Sequence, residues 1–75
     1  MKNTFTTVLS RIDGMNETIH DEGKITLNQV AIRMKEKMTL DHSIVSVAIR
    51  KHNGKMVIFT QSFNAITGKW EIKRI

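Results

Sequence analysis

Seventy-five residues, 40% apolar and 25% charged, with four Gly and no Pro, bound the chain to one small domain: too short for two cores, too apolar for a disordered tail. The absence of Cys removes disulfide frameworks, thiolate zinc sites and cysteine nucleophiles and points to a reducing, cytoplasmic setting, and the longest apolar run, Met56 to Phe59, is far too short to span a membrane. Twelve Lys and Arg against seven Asp and Glu give a net +5, unevenly spread, with two cations against four acids in residues 1–22 and ten against three in residues 23–75. That split suggests one face for a polyanion and another for a protein contact.

In chain order, the spacing of Phe5, Val8, Leu9, Ile12, Met15 and Ile19 predicts an amphipathic helix over 4–20, stopped near Gly23. Its six-residue apolar stripe is long enough to serve both a core and a homodimer contact. Thr26-Leu27-Asn28-Gln29 is a capping box, with Ile25 and Val30 placed for a hydrophobic staple, and predicts a second helix over 27–38. Residues 40–52 read two ways. As a helix over 41–52, Ile44, Val45, Ala48 and Ile49 pack inward and Asn53-Gly54 is the stop. As a strand over 43–51, the segment is rich in β-branched residues and Asn53-Gly54 is a hairpin turn. The helix is preferred, because the strand would be apolar on both faces and need two covers. Residues 55–62 and 69–75 read as strands of a hairpin, joined through Phe63 to Gly68.

Three helices followed by a C-terminal β-hairpin give an α+β architecture whose element order resembles the winged helix-turn-helix family over residues 24–75. The resemblance is carried by Leu27-Asn28-Gln29-Val30-Ala31, similar to the start of that family's positioning helix, and by Ser43 to Lys51, similar to its recognition helix. It implies a small DNA-binding protein, a bacterial or phage transcriptional regulator or architectural factor, with double-stranded DNA as partner. Helix 41–52 would read the major groove with His42, Ser43, Ser46, Arg50 and Lys51, Arg50 being suited to a bidentate contact with guanine. Thr26 and Asn28 would hold a phosphate at the second helix's N-terminus. Lys55, Asn64, Thr67 and Lys69 would follow the backbone from the 63–69 wing.

The strand reading gives a different architecture: two helices packed on a three-stranded antiparallel meander of 43–51, 55–61 and 69–75. Such a fold has no groove-reading helix. It suits a non-enzymatic interaction module, such as a phage or mobile-element inhibitor of a host protein, working through a sheet edge or a basic face. Neither reading is an enzyme or needs a cofactor. His20, His42 and His52 are scattered without metal-ligand spacing, no nucleophile motif is present, and Gly54 and Gly68 read as turn residues, leaving no catalytic or metal site. Trp70 reads as the hairpin's core anchor, and Met15, Met34 and Met38 read as core.

Overall fold

Residues 4–8, Thr-Phe-Thr-Thr-Val, are mostly β-branched, and the chain uses them as strand. A computed structural model describes residues 2–75 as β1 (Asn3–Arg11), β2 (Asn16–Gly23), α1 (Leu27–Leu40), β3 (Ile44–Lys51), β4 (Met56–Asn64) and β5 (Lys69–Arg74). The strands form one antiparallel sheet in the order β2-β1-β3-β4-β5, with the helix laid over one face.

The expected first helix is therefore a hairpin. Phe5, Thr7 and Leu9 are buried on the helix side of β1, while Thr6 and Val8 turn to the other face, a strict period of two. Thr7 fills an apolar position with a hydroxyl that finds no partner, which hides the alternation in a hydropathy pattern and leaves the Phe5–Leu9 interval looking helical. Asp13-Gly14 closes the hairpin: the Gly14 N–H donates to the Arg11 carbonyl (2.9 Å), Arg11 N–H donates to Met15 (2.9 Å), and Gly14 takes φ +87°. The homodimer contact expected on that helix loses its basis.

The capped helix forms as expected and runs to Leu40. Thr26 Oγ1 accepts from the Gln29 N–H (3.1 Å) and Gln29 Oε1 from the Thr26 N–H (2.8 Å), while Val30, Ala31, Met34 and Met38 face the sheet.

Residues 41–52 hold no recognition helix; they are a short connector and β3, so the winged helix-turn-helix resemblance is overturned. A bulge accounts for the misleading spacing. Ser10 pairs with Ser46 but Arg11 pairs with Ile44, so Val45 is an extra residue that turns Ile44 back toward the core beside Val47 and Ile49. The resulting interval of three between Ile44 and Val47 imitates a helix. The meander of the alternative reading corresponds to β3, β4 and β5, but one helix covers the sheet rather than two. Asn53 and Gly54 sit at φ +92° and +101° in the β3–β4 turn, the conformation that makes this dipeptide a hairpin signal.

The core lies between α1 and the sheet, with Phe5, Leu9, Val30, Met34, Met38, Ile44, Val47, Ile49, Val57 and Phe59 almost fully buried. The opposite face carries Thr4, Thr6, Ser10, Ser46 and Thr60 around half-buried Val8, Ala48 and Ile58. No described helix is long and apolar enough to cross a membrane.

Candidate functional site

Three connections meet at one end of the sheet: the β1–β2 turn (residues 12–15), the α1–β3 connector (residues 41–43) and the β4–β5 turn (residues 65–68). A polar network ties the first two together. Arg11 donates from Nη1 to Asp41 Oδ2 (2.6 Å) and Ser43 Oγ (3.1 Å) and from Nη2 to Glu17 Oε1 (3.2 Å), while Ser43 donates through its N–H and hydroxyl to Asp41 Oδ1 (3.0 and 2.6 Å). The Ile12 N–H donates to the Ser43 carbonyl (2.8 Å). Buried Gln61 reaches from β4 to the carbonyls of Asp41 (3.3 Å) and Ile44 (2.9 Å). Each of these two connectors is thus held by bonds from other elements as well as by its own backbone.

Hydrogen bonds from Ser43 and then from Arg11 lower the Asp41 carboxyl to about 2, and the same contacts with Asp41 and Glu17 raise the Arg11 guanidinium. A depressed carboxylate stabilises the fold above its unfolded value, about 4, and that contribution is lost as the pH falls through about 2. Fluorescence of Trp70, the single Trp, should therefore report loosening of this end between about pH 4 and 2. In Asp41→Asn that step should shrink; an unchanged step would assign the acid sensitivity to other carboxylates.

The β4–β5 turn is fixed by Asn64, whose Oδ1 accepts from the N–H groups of Ile66 (2.9 Å) and Thr67 (3.3 Å) and whose carbonyl accepts from the Gly68 N–H (2.8 Å). Gly68 takes φ +70°, where a side chain would be strained. This ordered turn holds Ile66 97% exposed at its tip. Behind it Phe63 and Trp70 are cross-strand partners meeting edge to face, ring centroids 5.5 Å apart, and His42 stacks on Trp70 at 4.3 Å. Among the described residues nine large apolar side chains are exposed, and six of them, Ile12, Met15, Leu40, Phe63, Ile66 and Trp70, belong to this end. Trp70, expected as a core anchor, is 42% exposed, and Met15 is exposed as well; Met34 and Met38 are core.

The residues expected to bind DNA do not form one surface. His42, Ser43, Asn64, Thr67 and Lys69 lie at the apolar end, where Ser43 and Asn64 spend their polar atoms on connector and turn geometry. Arg50, Lys51 and Lys55 lie at the opposite end around the β3–β4 turn, where Arg50 lines a polar concavity with Thr4, Thr6 and His52. Met56, opposite Arg50, and Phe63 are seven strand residues apart, about 23 Å. Ser46 sits mid-strand on the uncovered face, and Thr26 and Asn28 stand at the start of α1, Thr26 engaged in its cap. Residues 63–69, expected as a wing, are the β4–β5 hairpin end.

The acidic front is not a separate surface either. Glu17 pairs with Arg11 (3.2 Å) and Lys37 (3.8 Å), and Asp21 with Arg33 (3.0 Å), so β2 spends two of its acids on neighbouring elements. Among the described residues no three His, Cys, Asp or Glu side chains are grouped to hold a metal ion. No protein-family model, curated protein or solved structure matches the chain.

Proposed function

We propose that the protein is a non-enzymatic interaction module that docks a protein partner through the apolar end of its sheet. The observation that carries this reading is that, among the described residues, six of nine exposed large apolar side chains stand at one end of the sheet. Ile12, Met15 and Ile66 are on the turns and Leu40, Phe63 and Trp70 on the element ends beside them, where the Arg11–Asp41–Ser43 network and the Asn64 turn hold the connections in place. Exposed apolar clusters of this kind are costly to keep in water and characteristic of interaction sites, and ordered connectors reduce the entropy lost on docking. A half-exposed Trp braced by two other rings is the side chain type that most often dominates binding energy. Little unpaired positive charge approaches the cluster: Arg11 is spent on Asp41 and Glu17 and Lys37 on Glu17, Lys69 adjoins it, and Arg50, Lys51 and Lys55 are at the far end, which favours a protein over a polyanion as occupant.

Site-specific photo-cross-linking in the native host tests the reading. A photoreactive side chain at Ile66 should give a discrete adduct that protease removes and nuclease does not, and the same group at Asn53 should give none. Equal adducts from both positions, or a nuclease-sensitive adduct, would overturn it.

A further inference from the structure

The sheet has two edges, β2 and β5, and the geometry of the outer side of β5, which no described strand pairs, identifies what it would accept. Ile75 donates its N–H to the Ile58 carbonyl (2.9 Å), and groups facing a neighbouring strand alternate in an antiparallel ladder. Lys69, Glu71 and Lys73 therefore bond to β4, while Trp70, Ile72 and Arg74 turn their backbone N–H and C=O to the open edge. The side chains of these same three residues lie in one row on the helix side: Trp70 against His42, Ile72 against the core, and Arg74 in a groove between β4 and the first half of α1.

That groove has a volume of about 390 Å³, walls of Leu27 and Ala31, and a floor of Val57 and Phe59. Two cations overhang it, Arg74 and Lys35, the latter with Nζ 4.9 Å above the Phe59 ring. Among the described residues the ion pairs to acids are made by Arg11, Arg33 and Lys37, and neither Arg74 nor Lys35 has an acidic partner. An open backbone row, two apolar positions and a basic pair at one end are complementary to one kind of occupant.

We propose that β5 receives an extended acidic segment of a protein partner as a sixth strand. Every second residue of that segment would face the helix side, an acid at Arg74 and Lys35 and apolar side chains at Ile72 and Trp70. The inference rests on the protein-binding reading above and supplies the chemistry of the partner. It also explains why β5 keeps a backbone edge open beside an exposed Trp: charged side chains blunt such an edge against random pairing and select among partners.

The probe is a blocked heptapeptide with Glu, Val and Val at alternate positions and Thr between them, titrated against the full chain and followed by amide NMR. The expected result at millimolar peptide is a set of shifts centred on the Trp70, Ile72 and Arg74 amides, with slowed exchange at all three. Replacing the peptide's Glu by Lys should weaken binding at least about tenfold, and the Lys35→Glu, Arg74→Glu double variant should reverse that preference. Absence of shifts along β5, equal binding of both peptides, or shifts confined to β2 would overturn the proposal. So would concentration-dependent shifts of both β2 and β5 without peptide, which would make the occupant a second copy. The Ile66 cross-link is read separately: an adduct formed without peptide binding defeats this inference alone, and its loss defeats the docking reading too.

Discussion

Replacing Trp70 by Ala is expected to lower affinity for the cross-linked partner by at least about 30-fold, the effect of losing one central aromatic contact of roughly 2 kcal/mol. The sheet should survive, because Trp70 lies on an edge strand, is 42% exposed and stands outside the buried cluster. What disappears is a surface: the ring that Phe63 meets edge to face and His42 covers is removed, and both neighbours lose their brace. Trp70→Phe should retain most of the affinity by keeping an aromatic ring opposite Phe63. Met56→Ala, which trims an apolar side chain at the far end that is more exposed than Trp70, should change nothing. Affinities from purified proteins check all three, and a Trp70→Ala variant that binds as well as the parent would remove the aromatic cluster from the interface.

Leu9→Ala is expected to cost about 2–5 kcal/mol of stability. A 75-residue domain has roughly 4–11 kcal/mol in total, so the variant should be partly or wholly unfolded at moderate temperature. Leu9 is fully buried opposite Val47 on the central strand pair, and the cavity would open beneath α1, where neighbours held by the ladder cannot collapse into it. The same residue bears on the architecture. On the expected amphipathic helix, Val8 and Leu9 share one apolar stripe and should be comparably sensitive. On the observed strand Val8 faces the uncovered side, so Val8→Ala should cost much less than Leu9→Ala. Denaturant unfolding of the two variants gives the comparison, and equal losses would contradict the β1 register.

The local signals with chemistry of their own were the readable ones. Thr26 and Gln29 satisfy each other's backbone donors whatever lies around them, and Asn53-Gly54 tolerates the positive φ that the β3–β4 turn demands, so the helix start and that turn can both be read from the chain. The periodicity of the sequence and the observed fold diverge where tertiary structure overrides a local period. Thr7 sits in the core as a polar β-branched residue, and the bulge at Val45 shifts Ile44 by one position; each turns an alternating pattern into something resembling 3.6. Asp13-Gly14 is a hairpin dipeptide in the sequence, and the helical spacing of Phe5, Leu9 and Ile12 around it masks that signal.

The candidate site was legible only in fragments. His42, Asn64, Thr67 and Lys69 stand out in the sequence for nucleic-acid chemistry, and they lie beside the aromatic cluster for reasons of topology. Trp70 looks like core because large aromatics in hairpins usually pack inward, and only its place on an edge strand beyond the end of the helix leaves it exposed. The charge asymmetry had a partly internal use, since Arg33 and Lys37 of α1 hold the acids of β2, and no composition profile distinguishes such a pairing from two separate surfaces.

Amide hydrogen exchange of the whole chain, alone and in complex with the partner captured at Ile66, tests the docking claim most directly. The account predicts new protection over residues 12–15, 40–43 and 63–70, extending to the Ile72 and Arg74 amides where the partner's strand adds to β5, with the β3–β4 turn at 52–55 unchanged. Protection centred on Arg50 and residues 52–55, with the aromatic end exchanging as it does in the free protein, would contradict it.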